Sequence, residues 1–356
     1  MRAFLQRLFS PSITWLGNAM ASAPNRRKVF RSLSRLLKRL EKQEDQNANV
    51  FSADLSKESF IIFSDHHKGN KDHADDFAGN ESNYLAALEY YHSNNFKYIN
   101  LGDGEELWKY SPKEVISKNV AAFTAERKFQ DTNGYYKTYG NHDLIWKHKL
   151  DVRFWFKGIF AMPLPVYEGI LIKTEVSGSN LSIFLTHGHQ GDMMSDNNIL
   201  STWFVAHLWQ PVQRYLRINI NTPATDYDLR GNHNIMMYEW SSKRKGLILI
   251  TGHTHKPVFA SGKYSDHKNN TISHPTIGEG GDKHSIKPSY FNSGCCCYND
   301  GDITGIEISE GRISLVRWHT ENNNAVRIVL EETTLNIIVS DLYNKESVNS
   351  NIPLSK

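Results

Sequence analysis

Short apolar runs alternate with polar clusters along most of the chain, and the runs have strand length. Ser59-Phe60-Ile61-Ile62-Phe63 is nearly continuous in apolar character and predicts a strand buried on both faces. Lys97–Leu101, Tyr135–Tyr139, Leu181–Thr186 and Leu247–Thr251 predict further strands from their β-branched and aromatic content. Helical spacing predicts helices around Tyr84–Tyr91, with Leu85 and Leu88 on one side, and over residues 113–129. The order strand, helix, strand, helix, strand is that of an α/β sheet. In such sheets ligands gather at the carboxyl ends of the strands.

The first 58 residues follow a different pattern. Phe30, Leu33, Leu36, Leu37 and Leu40 recur at helical spacing after Pro24-Asn25, with basic residues between them. Residues 1–42 hold Arg2, Arg7, Arg26, Arg27, Lys28, Arg31, Arg35, Lys38, Arg39 and Lys42 against Glu41 alone. Such a helix either packs on the main domain or lies on an anionic membrane surface. Arg7 and Pro11 interrupt the apolar stretch of a secretory signal, although Ala19–Ala23 resembles a cleavage site; an organelle transit peptide also fits this composition. Residues 43–58 read as a polar linker, 59–320 as the main domain and 321–356 as a terminal strand and tail. Between His187 and Gly252 the chain is too long for a simple connection, which predicts a helical insert over about 195–245. It carries Trp203, Phe204, Leu208, Trp209, Val212, Tyr215 and Leu216, followed by Arg217, Arg230, Lys243, Arg244 and Lys245.

Composition narrows the field. The 356 residues suffice for a large core. No run reaches the roughly 18 apolar residues of a membrane span. The net charge of +3 gives no nucleic-acid signal, and the basic residues sit mostly in the leader. The only cysteines, Cys295-Cys296-Cys297, are consecutive, which suits neither a disulfide framework nor usual zinc spacing. A reduced cytoplasmic compartment, with membrane-surface association through the leader, is the expectation.

Candidate chemistry sits where the strands stop. The first ends in Asp65-His66-His67, the second in Gly102-Asp103-Gly104-Glu105-Glu106, the third in Gly140-Asn141-His142-Asp143. Two later ones end in His187-Gly188-His189 and Gly252-His253-Thr254-His255. Residues two apart in extended chain point the same way, so Asp65 with His67, and His253 with His255, can converge. Gly140 allows a sharp turn. Glu105 and Glu106 suit the start of a following helix. Arg230-Gly231-Asn232-His233-Asn234 repeats Gly-Asn-His but lacks a preceding strand. His66 and His189 neighbour the candidate ligands and read as groups behind them, as substrate contacts, or as rim residues. Imidazoles, carboxylates and one amide recurring after five runs point to a shared metal centre.

The ordered blocks Asp65-x-His67, Gly102-Asp103-x-x-Glu106, Gly140-Asn141-His142-Asp143, His187 and Gly252-His253-x-His255 resemble the calcineurin-like metallophosphoesterase superfamily. The resemblance covers residues 60–310. It implies a four-layer αββα sandwich, here with a helical insert and a basic leader, holding two divalent metals at one end. By position, Asp65, His67 and His255 would bind one metal, Asn141, His187 and His253 the other, and Asp103 would bridge them. The mixed N/O donors accept manganese, iron or zinc. A bridging carboxylate sets the usual spacing of roughly 3.5–4 Å. The implied reaction is in-line attack of an activated water on a phosphoester. His142 would protonate the leaving oxygen or stabilise its charge, with Asp143 or Glu106 orienting the ring. Phe291-Asn292-Ser293-Gly294 echoes the family's Asn-x-Gly strand, with Cys295–Cys297 as buried strand residues and Ile303–Ile308 and Ile313–Trp318 as a terminal hairpin. The insert is similar to the lid of UDP-diacylglucosamine pyrophosphohydrolases, but those place Arg where this chain has His142. A lipid-linked or nucleotide-sugar pyrophosphate is therefore one alternative substrate, and a non-catalytic binding scaffold on the same fold is another.

Overall fold

The run Phe60–Phe63 forms β2, and its alternation assigns each side chain to a different layer. Phe60 and Ile62 face the space between two sheets, while Ile61 and Phe63 face a layer of helices. Both sets are fully buried, which is why the run is apolar throughout rather than alternating. The computed structural model describes residues 25–43, 48–191, 227–260 and 287–344.

In chain order the elements are α1 (Arg26–Lys42), β1 (Ala48–Ser52), β2, α2 (Glu81–Ser93), β3 (Lys97–Leu101), α3 (Pro112–Lys118), α4 (Val120–Asp131) and β4 (Tyr135–Thr138). A single 3₁₀ turn, Leu144–Lys147, leads to α5 (Lys149–Trp155), β5 (Val166–Tyr167), β6 (Gly169–Val176) and β7 (Ser179–Thr186). Then come α6 (Tyr227–Ser242), β8 (Leu247–Thr251), β9 (Tyr290–Asn292), β10 (Ile303–Ser309), β11 (Arg312–Glu321), β12 (Asn324–Thr334) and α7 (Leu335–Asn344).

One sheet has the order β12-β11-β10-β2-β3-β4-β5, with β2 to β5 parallel to one another. The other has the order β1-β6-β7-β8-β9, with β7, β8 and β9 parallel. Their facing sides share one core, in which Ile62, Ile99 and Leu101 meet Ile172, Ile183, Leu185, Ile248 and Ile250. Outside the larger sheet, α2 and α4 cover Phe63 and Tyr98 through Tyr84, Tyr91, Phe123 and Phe129. Outside the smaller sheet, α1 and α6 cover Leu171, Phe184, Leu247 and Leu249. This is the expected four-layer αββα sandwich.

The leader helix α1 is the fourth layer. Val29, Leu33, Leu36, Leu37 and Leu40 are buried against the sheet and against Met236, Met237 and Trp240 of α6. Asn25 caps its start by accepting from Lys28 N–H at 3.2 Å. Arg26 pairs with Glu239 at 2.6 Å and Arg39 with Glu168 at 2.7 Å. The stripe that could have entered a bilayer is thus covered by protein, and Arg27, Lys28, Arg31, Arg35 and Lys38 remain exposed. No described helix is long and apolar enough to cross a membrane.

Several boundaries differ from expectation. The stretch read as a linker contains β1, whose residues pair in parallel with Gly169–Lys173 of β6. The single helix expected over 113–129 is two, parted at Asn119, whose amide donates to the carbonyls of Gly69 and Val115 at 2.7 and 2.8 Å. Glu105 and Glu106 begin no helix; a bridge joins Lys68 to Glu105 and α3 starts only at Pro112. Cys295–Cys297 lie in a loop after β9, not in a strand. The hairpin β10–β11 forms as read, and β12 and α7 extend it through the residues expected as a terminal strand and tail. Of the insert, Arg230 and Lys243–Lys245 fall in the described α6 and the turn after it, while Trp203–Arg217 lie outside the described residues.

Candidate metal centre

The seven residues read as ligands come together at one end of the sandwich. Asp65 and His67 follow β2, Asp103 follows β3, and Asn141 follows β4. His187 follows β7, and His253 and His255 follow β8 of the other sheet. Hydrogen bonds join the two sheets here: His187 Nδ1 lies 3.0 Å from the Leu101 carbonyl, and His253 N–H donates to the Asp65 carboxylate at 2.9 Å.

The backbone is bent hard to achieve this. Asp65, His67, Asp103, His253 and His255 all hold left-handed φ, at 51°, 51°, 49°, 70° and 55°. Non-glycine residues adopt such angles at a cost, and clusters of them mark sites where geometry overrides local preference. Gly140, read as allowing a sharp turn, does not hold a left-handed φ. Its role is close approach: a Cβ there would lie 2.1 Å from Asp103 Oδ1 and 2.7 Å from His187 Cδ2. A Cβ at Gly252 would similarly meet Asp65 Oδ2 at 2.3 Å.

The chemistry follows from which atoms face each other. A carbonyl offers only lone pairs, so His187 Nδ1 carries the proton it gives to Leu101 O, and the neutral ring has a bare Nε2. That Nε2 points at Asp103 Oδ2 (3.1 Å) and Asn141 Oδ1 (3.3 Å). Likewise His67 Nδ1 faces Glu106 Oε2 at 3.2 Å, leaving Nε2 toward His255 Nε2 (3.1 Å) and Asp103 Oδ2 (3.8 Å). His255 Nε2 also lies 3.2 Å from Asp65 Oδ1. Donor atoms of Asp103, His187 and His253 all lie within 4.8 Å of one another. With the rings neutral, lone pairs converge here, an arrangement that a cation at the centre, or a proton on a ring, satisfies. The electrostatics agree. Burial pulls His187 down, but Asp103 and Asp65 outweigh it and push it up to about 9. Burial raises the Asp103 carboxyl, but His187 and His142 hold it well below the usual carboxylate range.

The residues around His142 take distinct places. Its Nδ1 lies 3.0 Å from both Glu106 oxygens, and the indole of Trp108 stacks on its ring at 3.9 Å. Asp143, the other carboxylate considered for orienting His142, faces elsewhere. It accepts backbone N–H from Gly140 at 2.6 Å and from Gly104 at 2.8 Å, clasping the two strand-end loops together. Burial pushes its carboxyl up to about 7.

The family model for calcineurin-like phosphoesterases matches residues 59–257. The chain belongs to the calcineurin-like phosphoesterase family. Members of this phosphoesterase family typically bind two divalent metals, and this chain has candidate His/Asp clusters that could hold a metal ion. No curated protein matches the chain. Solved structures similar to it at low identity include the following three. A conserved uncharacterized protein from Streptococcus pneumoniae TIGR4, titled a predicted phosphoesterase, shares 12% identity over 76% of this chain and 97% of its own, with TM-score 0.29. Vacuolar Protein Sorting 29 from Cryptosporidium parvum shares 12% over 78% and 98%, with TM-score 0.31. A dimetal phosphatase from Danio rerio shares 8% over 77% and 99%, with TM-score 0.35.

Other residues stand apart from their sequence reading, or were not read at all. His66 and His189 are not rim residues; both are buried, and His66 Nε2 meets the Tyr98 hydroxyl at 3.0 Å beneath the site. The second Gly-Asn-His lies on α6, where His233 Nε2 meets the Gly188 carbonyl at 2.8 Å. A buried ionic array was missed. Lys68 pairs with Glu126 and, at 3.3 Å, with Glu105, which also pairs with Lys137 at 3.0 Å. Its only sequence signal is charge at strand ends and in a helix, which looks solvated until the fold buries it. Trp108 and Cys297 were also missed as neighbours of the site.

Gly140→Ala should test the close approach. The added methyl must displace the Asp103 carboxylate, so bound metal should fall below two per chain, with a stability loss of about 1–3 kcal/mol. Elemental analysis and thermal unfolding measure both. Native metal content with native stability would show that this contact is dispensable.

Proposed function

We propose that the chain hydrolyses phosphoesters with two divalent cations, manganese, iron or zinc, and a positioned histidine. The observation that carries the proposal is the convergence of bare imidazole nitrogens, carboxylates and one amide oxygen beside His142. Asp65, His67 and His255 would hold one cation, Asn141, His187 and His253 the other, with Asp103 between them. When bound, such a pair offsets the negative charge of the phosphoryl group and lowers the pKa of the attacking water.

The protein's own groups then divide the work. Left-handed turns and glycine contacts fix the donor positions before substrate arrives. Glu106 holds His142 Nδ1 at 3.0 Å, so Nε2 is the ring atom left to pass a proton to the departing oxygen. Trp108 keeps the ring in plane, and Asp143 secures the loop that carries it. His142→Ala should keep both metals and slow hydrolysis of an alkyl phosphoester by roughly 10²–10⁴. With p-nitrophenyl phosphate, whose leaving group needs little protonation, the loss should be smaller. Equal losses on both substrates would contradict the acid role. Native protein with two metals bound and no turnover of monoesters, diesters or pyrophosphates would favour the scaffold reading instead.

His142 also bears on substrate class. UDP-diacylglucosamine pyrophosphohydrolases carry Arg at this position, so we place the chain's substrate among other phosphomonoesters or diesters before a lipid-linked pyrophosphate.

We further propose reversible attraction to an anionic membrane surface through the outer face of α1. Support comes from Arg27, Lys28, Arg31, Arg35 and Lys38, all exposed on a helix whose apolar stripe is buried. Binding by charge alone should weaken with salt. Because α1 is part of the core, the test is charge reversal rather than truncation. Arg31→Glu, Arg35→Glu and Lys38→Glu combined should abolish co-sedimentation with phosphatidylserine vesicles while leaving p-nitrophenyl phosphate hydrolysis unchanged. Equal sedimentation of native and variant chains would refute the surface role of α1.

A further inference from the structure

His67, His187 and His255 each turn one ring nitrogen into the site and the other away from it. For two of them the outer nitrogen meets oxygen: Glu106 Oε2 at 3.2 Å behind His67, and the Leu101 carbonyl at 3.0 Å behind His187. His255 is different. Beside its Nδ1 is the sulfur of Cys297, at 3.5 Å, and the Cys295 side chain hydrogen-bonds both this histidine and Cys297. Its Nε2, on the other side of the ring, faces Asp65 Oδ1 at 3.2 Å and His67 Nε2 at 3.1 Å.

We infer that Cys297 is a positioning residue of the metal centre, its sulfur accepting from His255 Nδ1–H and so leaving Nε2 bare toward Asp65. A ligating histidine needs such a partner, because the partner decides which nitrogen carries the proton and fixes the plane of the ring. The loop holds the sulfur in place from both sides. Cys296 N–H donates to the Asp65 carbonyl at 3.2 Å, and the Tyr298 hydroxyl donates to the His255 carbonyl at 3.3 Å. Cys297 is therefore tied to the same two residues whose side chains meet in front of it.

Direct ligation is the competing geometry, since donor atoms of His67, His255 and Cys297 also lie within 4.8 Å of one another. The contact to Nδ1 argues against it. An imidazole that gives Nε2 to a cation beside Asp65 turns Nδ1 away from that cation, and the sulfur sits at Nδ1. Sulfur is a weak acceptor, so its removal should loosen the ring rather than abolish the site.

The inference rests on the two-metal reading, and Co²⁺ titration of the full chain separates the two. Visible absorption counts bound Co²⁺, and near-ultraviolet absorption reports thiolate-to-cobalt charge transfer. Native protein should bind two Co²⁺ without a charge-transfer band. Cys297→Ala should weaken one of the two by about tenfold, the lower end for loss of an outer partner. Cys297→Ser, which keeps an acceptor, should fall between them, with all three chains equally folded by circular dichroism. Equal affinities in the three proteins would overturn the inference. So would a charge-transfer band that Cys297→Ala removes, which would make the sulfur a ligand. Loss at both sites alike with a lowered Tm would reduce Cys297 to a packing residue. Native protein that takes up no Co²⁺ would overturn the two-metal reading itself, and this inference with it.

Discussion

With its histidines neutral, the centre of this molecule holds atoms that all carry lone pairs against one another. His187 Nε2 faces Asp103 Oδ2 and Asn141 Oδ1, and His255 Nε2 faces Asp65 Oδ1 and His67 Nε2. Left to themselves such groups repel, and water would separate them. Here all but the half-buried His255 are buried, and the outer ring nitrogens of His67 and His187 are already committed to Glu106 and Leu101. Only positive charge relieves the arrangement, which is why the carboxylates drive His187 up to about 9 despite its burial. A cation pair offers the same relief and adds chemistry.

Holding that arrangement requires the rest of the fold. Five of the seven proposed ligands sit at left-handed φ. Each such residue costs of order 1–3 kcal/mol and persists only where the surroundings over-determine it. The two sheets supply that constraint from above through the facing isoleucines and leucines. The buried array Lys68–Glu126–Glu105–Lys137 supplies it from below. That array joins the loop after β2, the loop after β3, helix α4 and strand β4. Its charges balance, two ammonium groups against two carboxylates, and Trp146, Tyr84 and Tyr135 donate to the remaining oxygen positions. Removing one member would strand its partner in the core, a change that typically costs 3–5 kcal/mol.

Much of this was legible in the sequence, because strand-end positions are fixed by short apolar runs that permit one reading. Phe60–Phe63, Leu181–Thr186 and Leu247–Thr251 could be little else, so Asp65, His187 and His253 had to lie near strand ends. The leader helix was legible as a helix but not as a layer. Spacing shows that Leu33, Leu36 and Leu40 share a face, and says nothing about whether protein or lipid covers it. Glu105 and Asp143 were misread for a common reason: a carboxylate near a turn looks solvated or catalytic. Their partners, Lys137 and the Gly104 and Gly140 amides, are brought near only by the parallel pairing of β3 with β4. Cys297 was hidden because its partner His255 lies 42 residues away.

The central claim is that this constellation holds two cations around Asp103. Anomalous diffraction from crystals grown with Mn²⁺ or Zn²⁺ tests it directly. The account predicts two peaks roughly 3.5–4 Å apart, one among Asp65, His67 and His255, the other among Asn141, His187 and His253, with Asp103 touching both. A single peak, or two peaks that do not share Asp103, would contradict it.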